Sequence, residues 1–317
     1  MNNNVVKIGL LGVGKMGQNH LRNLSMIKQV EISFIYDFDK EICNKLAKEY
    51  NVKASEDLED DLQYVDGVII VTPTFTHYDY IKQISKYVKN IFVEKPLTDT
   101  LESTKEIVKL AEENNLNIQV GFIERYNSAV VGLKKVIRNS NHIINIDFSR
   151  TNKVSSRITD VDVVIDLMIH DIDLALYING NAKKVDAHGY INNGMIEYAR
   201  AIITHENGSF SNIVASRITE KRIRHISATC DDMYIDCDLL RKEVLVNKQS
   251  IEQYLDDVSI LSKEETITIR PQEGLLLELI DFISLCQDKV VDVPNETDGL
   301  FAMEIASKIQ QQIMESK

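Results

Sequence analysis

The sequence predicts an α/β protein: a doubly wound parallel sheet at the N-terminal end, then an α+β domain with a large, mostly antiparallel sheet. Three observations support this. Apolar runs alternate with helical patterns over about the first 120 residues, and a glycine-rich turn follows the first run. After Phe122 the pattern changes to shorter strands with turn signals. The 317 residues suffice for two domains, which we expect at 1–122 and 123–317.

The apolar runs of the first domain are nearly continuous, which is typical of parallel strands covered on both faces. Helical patterns separate them, as right-handed crossovers require. The expected strands are Val5–Leu11, Glu31–Tyr36, Val68–Thr72, Ile91–Glu94 and Asn117–Phe122, and the expected helices are Met16–Ile27, Lys40–Tyr50, Thr76–Tyr87 and Leu101–Asn114.

The second domain is expected to begin with a helix and a strand and to end with two helices. Between these lies a long stretch of strands with turn signals such as Asn192-Asn193-Gly194. The expected helices are Ser128–Arg138, Val164–Ile178, Gln272–Gln287 and Thr297–Glu315, with a strand at His142–Arg150 and further strands from Lys183 to Ile269.

A dinucleotide-binding turn is indicated by Gly12, Gly14 and Gly17, which stand between the first apolar run and a helix. They permit a tight turn, close approach to a pyrophosphate and close helix–strand packing, respectively. Asp37 follows 20 residues after Gly17, where a carboxylate accepts hydrogen bonds from ribose hydroxyls and repels a 2′-phosphate. We therefore expect a Rossmann domain that binds NAD rather than NADP. The alternative is an ordinary loop with a surface aspartate.

Composition limits the range of partners. The net charge of −12 argues against binding to nucleic acid or to anionic membrane surfaces. No stretch approaches 18 consecutive apolar residues, and the first strand begins near the N-terminus. We therefore expect no membrane span, no signal peptide and a cytoplasmic location. The four cysteines are scattered, so we expect free thiols and no metal-ligand or redox pair.

Two further groups have the residue types of a catalytic site. Lys95 follows the fourth expected strand of the first domain, and ligands of doubly wound sheets bind at the carboxyl ends of strands. Asp166 and His170 lie four residues apart in an apolar helical run, a spacing that puts both on one helix face. A carboxylate there can orient an imidazole for proton transfer. The alternatives are a surface lysine and a structural histidine; a metal is conceivable, but no second His or Cys lies nearby.

These motifs together resemble the glucose–fructose oxidoreductase and inositol dehydrogenase family (Gfo/Idh/MocA) over essentially the full chain. The matching segments are Gly12 to His20, Thr72 to Thr74 with His77, Glu94-Lys95-Pro96, and Asp166 with His170. The resemblance implies an NAD(P)-dependent dehydrogenase of CH–OH groups, a homodimer or homotetramer formed through the second sheet, and catalysis by Lys95, His170 and Asp166. The cofactor residues that it implies are Gly12, Gly14, Lys15, Met16, Gly17, Asp37, Thr72, Pro73, Thr74, His77, Glu94 and Lys95.

The segment Gly121–Asn127 and the segment Asp166–Asp173 are similar to members that oxidise the 3-hydroxyl of UDP-linked N-acetylglucosamine or its uronate. This implies a small-molecule sugar-nucleotide substrate. The substrate residues expected are Lys95, Arg125, Tyr126, Asn127, Arg157 and His170. Arg125 suits a pyrophosphate or a carboxylate; the alternative is a domain-junction ion pair with Glu124 or a neighbour.

The expected mechanism has His170 as general base, Asp166 as its orienting group and Lys95 on the same substrate oxygen, although lysine and histidine could exchange roles. Met168 stands where this family often has glycine, which weakens any transfer of simple-sugar specificity. The other functions considered are a free sugar or polyol dehydrogenase, such as one for inositol, an NAD-dependent glycosidase, and a non-catalytic NAD-binding regulator.

Overall fold

The computed structural model describes residues 5–140, 142–153, 161–254, 257–270 and 272–316, with only the main chain at 249–254 and 257–262. Arg157 lies outside the described residues. The chain divides into two compact units, one formed by residues 1–123 and 273–303 and the other by 124–272 and 304–317. The boundary between the two units after Ile123 lies one residue from the domain boundary that we expected after Phe122. The segment 273–303, which we expected in the second domain, belongs to the first unit.

The first unit contains the expected doubly wound sheet, with six parallel strands in the order β3-β2-β1-β4-β5-β6. Three of the five expected strands are one residue shorter than expected, and the second and fourth each begin one residue earlier. The short β3 and α3 were not anticipated, because neither has an apolar run of its own. The strands are β1 (Val6–Leu11), β2 (Val30–Tyr36), β3 (Lys53–Ala54), β4 (Gly67–Ile70), β5 (Asn90–Glu94) and β6 (Asn117–Gly121).

Nine α-helices are present in the described part of the chain. They are α1 (Lys15–Met26), α2 (Lys40–Tyr50), α3 (Leu58–Leu62), α4 (His77–Ile84), α5 (Leu101–Asn114), α6 (Ser128–Ile137), α7 (Ile169–Asn179), α8 (Gly274–Cys286) and α9 (Glu296–Glu315). None of these helices has both the length and the apolar character needed to cross a bilayer.

Helix α8 joins the core of the first unit, which explains why the 273–303 segment belongs there. Phe282 of α8 is fully buried and makes an edge-to-face contact with Phe92 of β5, with ring centroids 5.8 Å apart. Leu279 and Ile283 lie in the same apolar cluster. A helix this apolar needs a core to cover it, but its sequence does not say which of the two sheets supplies that core.

The second unit contains an eight-stranded sheet in the order β14-β13-β12-β11-β7-β10-β9-β8, in which the pairing of β7 with β10 is parallel and the others are antiparallel. The expected fold class is therefore confirmed. The strands are β7 (Ile143–Thr151), β8 (Ala182–Asn192), β9 (Met195–His205), β10 (Phe210–Ser216), β11 (Ile223–Cys230), β12 (Met233–Asp238), β13 (Glu243–Tyr254) and β14 (Asp257–Ile267).

The two faces of this sheet differ in character. One buried row crosses five strands in register and consists of Ala201, Ile213, Phe148, Ile226 and Cys237. Helices α6 and α7 pack against this sheet. The opposite side, which we call the outer face, carries the exposed side chains of Tyr190, Ile202, Phe210 and Tyr234.

Candidate active site

The glycine turn after β1 has the geometry that the motif requires. Gly12 has φ +87°, and a Cβ atom there would lie 2.4 Å from the carbonyl oxygen of Val71. A Cβ at Gly17 would lie 2.0 Å from the carbonyl oxygen of Gly12, whereas a Cβ at Gly14 would meet nothing within 4 Å. The first and third glycines are therefore required by the turn itself, and the second faces open space.

Helix α1 begins directly after this turn. Gly14 is its N-cap residue, no side chain caps the helix, and its first turn has no acidic residue. Main-chain N–H groups at such an end, together with the positive end of the helix dipole, favour a phosphate. The turn thus fits the pyrophosphate of a dinucleotide.

A cleft of about 670 Å³ opens beside the turn, a size suited to a small-molecule ligand. Phe38 and Phe75 line this cleft and are largely exposed. Tyr80 also lines it, and burial beside Tyr36 raises the pKa of Tyr80 to about 12. Its walls are apolar and aromatic, as an adenine or nicotinamide ring requires. The lining residues are Gly12, Gly14, Lys15, Met16, Tyr36, Asp37, Phe38, Val71, Thr72, Pro73, Phe75, Thr76 and Tyr80.

Asp37 is oriented by two main-chain groups. Its Oδ2 accepts a hydrogen bond from the N–H of Val13 at 2.7 Å, and its Oδ1 accepts one from the N–H of Asp39 at 2.9 Å. Each oxygen keeps a second lone pair for a ribose hydroxyl. A phosphate on the 2′ oxygen of the ribose would be repelled by the negative charge of Asp37. The next residue in the chain, Phe38, has an uncharged ring and offers that phosphate no cation. The site therefore fits NAD better than NADP.

Not every residue expected to touch the cofactor lines this cleft. Thr74 lies in a 3₁₀ turn, Thr74–Thr76, beside it. His77 is buried, and both ring nitrogens face main-chain carbonyl oxygens, so the expected contact of this side chain with the cofactor is replaced by a structural one. The Glu94 carboxylate is hydrogen-bonded to the ring of His20.

Lys95 follows the last residue of β5, as expected. The Lys95–Pro96 peptide bond is cis, and the N–H of Lys95 donates to Glu94 Oε2 at 3.3 Å. Lys95 therefore stands at the carboxyl end of the parallel sheet, in the first unit. Asp166 and His170 belong to the second unit.

Asp166 and His170 share the accessible side of an otherwise buried segment. From 163 to 170 these two residues alone are not buried. The segment differs from the expected α-helix in its first turn, Val164–Met168, which is a π-helix stabilised by Asp162 Oδ1 accepting from the N–H groups of Val164 and Ile165. Such turns are rare and are frequent at functional sites.

Arg217 is a residue that sequence reasoning missed. Its guanidinium lies 3.6 Å from Asp166 Oδ2 and donates to the carbonyl oxygen of Val161 at 2.7 Å. A buried guanidinium therefore lies close to the carboxylate of Asp166. Arg217 directly follows β10, roughly 50 residues after Asp166 in the chain, and the sequence carries no local signal of this pairing.

Arg125 forms an ion pair, as in the alternative that we considered, but its partner is Asp173 of the same unit rather than Glu124. Its Nε and terminal nitrogen donate to the two carboxylate oxygens of Asp173 at 2.9 and 2.6 Å. The side chains of Arg125 and Asp173 are 8% and 2% exposed, and the guanidinium stacks on the ring of Tyr177. The expected role of Arg125 in substrate binding has no support from this geometry, because the pair satisfies the guanidinium within the unit.

The neighbours of Arg125 also have structural contacts. Asn127 caps α6, because its Oδ1 accepts the N–H of Ala129, and its Nδ2 donates to Glu124 Oε2 at 3.1 Å. Both the oxygen and the nitrogen of its side-chain amide are therefore hydrogen-bonded. Burial raises the pKa of Glu124, but Arg150 at 2.8 Å outweighs burial, and the pKa is lowered. Tyr126, between Glu124 and Asn127 in the chain, is the last residue of the 3₁₀ turn Ile123–Tyr126 and is partly buried.

We find no cluster of metal-ligating side chains in the part of the chain that is described. There, no three His, Cys, Asp or Glu side chains are grouped as metal ligands. The cysteines Cys43, Cys230, Cys237 and Cys286 are free thiols.

Comparisons with known proteins agree with this architecture. Residues 6–122 match the model of the oxidoreductase family with an NAD-binding Rossmann fold (GFO/IDH/MocA), and residues 143–235 match that family's C-terminal domain. The UDP-N-acetylglucosamine 3-dehydrogenase of Acidithiobacillus ferrooxidans is 26% identical over 282 residues, covering 88% of each chain. The scyllo-inositol 2-dehydrogenase (NAD(+)) of Bacillus subtilis is 32% identical over 230 residues, covering 67% of each.

Solved structures share the fold over nearly the whole chain. A structure of the Acidithiobacillus ferrooxidans enzyme superposes with a TM-score of 0.88 at 24% identity, covering 98% of both chains. An oxidoreductase from Agrobacterium radiobacter in complex with NAD+, L-tartaric acid and magnesium superposes with a TM-score of 0.83 at 16% identity, covering 99% of this chain and 97% of the other. The chain therefore belongs to the GFO/IDH/MocA family and is an NAD-dependent dehydrogenase of CH–OH groups.

Proposed function

We propose that this protein oxidises a secondary hydroxyl, at C3, of a nucleotide-linked N-acetylamino sugar such as UDP-N-acetylglucosamine or its uronate. The relative named for this activity matches 88% of the chain, against 67% for the inositol enzyme. The support for a sugar nucleotide comes from this similarity and not from Arg125, whose guanidinium is held by Asp173.

The observation that carries the dehydrogenase chemistry is the pairing of Asp166 and His170 on one accessible side of a buried segment. When bound, the nicotinamide supplies the hydride acceptor. His170 takes the proton of the hydroxyl as general base, and Asp166 orients the ring. Lys95 donates a hydrogen bond to the same oxygen and stabilises its developing negative charge.

In this proposal the cofactor is held by the glycine turn, by Lys15 and Met16 at the start of α1, and by Asp37. Thr72 and Pro73 line the same cleft, and Thr74 follows them in the adjoining 3₁₀ turn. Lys95, Tyr126 and His170 are proposed substrate contacts. Arg157 remains a proposed contact from the sequence alone.

A second candidate is a polyol dehydrogenase, because the inositol enzyme has the higher identity over the part that aligns. A substrate screen separates the two. NAD and purified protein are incubated with UDP-N-acetylglucosamine, its uronate, inositols and free sugars, and NADH absorbance is followed. NADH formation with the sugar nucleotides supports the proposal, whereas formation with inositol alone favours the second candidate.

Catalytic variants complete this test. Lys95→Ala and His170→Ala should retain NAD binding and lose about 10²- to 10⁴-fold in turnover, while Lys105→Ala, on the exposed side of α5, should behave as wild type. Near-normal turnover in both catalytic variants would refute the assignment. Sugar release without net NADH would indicate a glycosidase, and NAD binding with no turnover of any substrate would indicate a regulator.

We also propose a cytoplasmic homodimer or homotetramer that forms through the outer face of the second-unit sheet. Ile202 and Phe210 lie on neighbouring strands of that face and are exposed, and exposed apolar side chains of this kind can pack against a second copy of the chain. Light scattering should show that Ile202→Glu lowers the oligomer mass, while Val290→Glu, at a fully exposed position of the first unit, does not. A monomeric wild type would contradict the proposal.

A further inference from the structure

Lys95 lies between two residues that are each held by a buried histidine of the first unit. Glu94 precedes it, and the Glu94 Oε1 atom lies 2.8 Å from Nε2 of His20. Pro96 follows it, and the Pro96 carbonyl oxygen lies 3.0 Å from Nδ1 of His77. His20 is 0% exposed and His77 is 1% exposed, so neither ring is available to touch a ligand.

His20 connects the glycine-turn helix to Lys95 through one carboxylate. The ring lies on α1, packs edge-to-face on Phe92 with centroids 5.4 Å apart, and bonds to Glu94 Oε1. The other oxygen of Glu94 accepts the main-chain N–H of Lys95 at 3.3 Å. The imidazole therefore fixes the carboxylate that in turn holds the main chain of Lys95.

His77 connects two loops. Its Nδ1 faces the carbonyl oxygen of Pro96, and its Nε2 faces the carbonyl oxygen of Thr72 at 3.0 Å. Burial lowers the pKa of His77, so the ring is neutral near pH 7 and donates one proton to one of the two carbonyls. The Thr72 loop lines the cofactor cleft, and the other loop carries Lys95.

We propose that His20 and His77 are positioning residues, which hold the main chain on both sides of Lys95 so that its ammonium is in place before substrate binds. A lysine side chain is long and flexible, and anchoring of its main chain narrows the range of positions that its ammonium can reach. Misplacement of a catalytic group by about 1 Å costs about 10²-fold in rate. The catalytic meaning of this inference rests on the proposed function, which gives Lys95 its role.

His77 offers a pair of variants that separates its two contacts. Asn places an amide near the position of Nδ1 and keeps the contact with Pro96, whereas Gln reaches the position of Nε2 and keeps the contact with Thr72. We expect His77→Asn to keep kcat and to weaken NAD binding. We expect His77→Gln to keep NAD binding and to lower kcat by about 10-fold or more. His20→Leu should lower kcat, and His20→Gln, which restores the contact with Glu94, should recover most of it.

A matched control is His205 of the second unit. It is equally buried and holds the carbonyl oxygen of Gly180 at 2.8 Å and the hydroxyl of Ser211 at 2.9 Å. His205→Leu should lower the melting temperature as much as His20→Leu does and leave kcat unchanged. Equal kcat losses in the two leucine variants would overturn the proposal, because the effect would then be one of general stability.

Hydrogen exchange gives a measurement that needs no substrate. The amides of Lys95 and Leu97 should exchange about tenfold faster or more in His20→Leu and His77→Gln than in wild type, with no such change in His205→Leu. Unchanged exchange at Lys95, or faster exchange with unchanged kcat, would overturn the inference. If no substrate is turned over even by the wild type, the proposed function fails, but the exchange rates still decide whether the two histidines hold Lys95.

Discussion

The carboxylate of Asp37 at the end of β2 accepts the main-chain N–H of Val13 in the glycine turn at 2.7 Å. This hydrogen bond joins two parts of the proposed cofactor site that lie 24 residues apart. It fixes the carboxylate before any ligand binds, and preorganised groups cost less to order on binding.

We therefore predict that Asp37→Ala weakens NAD binding by about tenfold or more, the equivalent of about 1.4 kcal/mol, and reduces the preference for NAD over NADP. Titration with both cofactors measures this. Asp39→Ala is the control, because Asp39 lies nearby but caps α2 through Glu41 and Ile42; it should cost about 1 kcal/mol of stability with unchanged cofactor preference. An unchanged preference in Asp37→Ala would remove this residue from the site.

Gly14 and Gly17 should respond differently to the same substitution. A Cβ at Gly14 meets open space, so Gly14→Ala should keep the melting temperature of the free protein and weaken NAD binding, because the methyl group stands where the pyrophosphate approaches. A Cβ at Gly17 would lie 2.0 Å from the Gly12 carbonyl oxygen, so Gly17→Ala should cost about 1–3 kcal/mol of stability. Thermal melts and NAD titrations distinguish them; equal destabilisation by both would contradict the turn geometry.

The Arg125–Asp173 pair should act on stability. Both side chains are almost fully buried, so Arg125→Ala would leave an uncompensated carboxylate and should cost about 3–5 kcal/mol of the free energy of unfolding. Chemical denaturation measures this change. Lys109→Ala, which removes the exposed pair with Glu113 on α5, should cost less than about 1 kcal/mol.

The opposite result for Arg125 would revive its role in substrate binding. That result is a stability like that of the wild type, together with a raised KM for the sugar nucleotide. The two readings therefore predict different quantities to change, and a single variant decides between them.

Stability should fall on acidification below about pH 6.5, because burial lowers the pKa of both His77 and His205 from 6.5. The unfolded chain then binds more protons than the folded one between the lowered pKa values and 6.5, so the free energy of unfolding rises with pH in that window. The contribution of the two histidines to stability is complete above the unfolded pKa and is lost progressively as the pH falls toward the lowered pKa values of the folded state.

Melting temperatures measured from about pH 7.5 to about pH 5.5 test this prediction. The double variant His77→Gln/His205→Gln should lose less stability over that range than the wild type. His188→Gln, at an exposed position of β8, should keep the slope of the wild type. A double variant that is as acid-sensitive as the wild type would show that other groups cause the change.

Local patterns were sufficient for much of the first unit. The apolar runs predicted β1, β2, β4, β5 and β6 within three residues, because a buried parallel strand must be apolar on both faces. The glycines predicted the turn, because an approach of 2.0 Å to a carbonyl oxygen leaves no room for a side chain. The spacing of Asp166 and His170 predicted a shared accessible side, although the turn between them is a π-helix.

The sequence by itself determined the fold class, the dinucleotide turn and the positions of Lys95, Asp166 and His170, since each depends on sterics or periodicity within a short window. Only the tertiary structure decided the partners of buried charges: Arg125 with Asp173, Arg217 with Asp166 and His20 with Glu94. It also decided that α8 covers the first sheet. Any buried ion needs a partner of opposite charge, but which one it meets depends on strands and helices that fold together from distant parts of the chain.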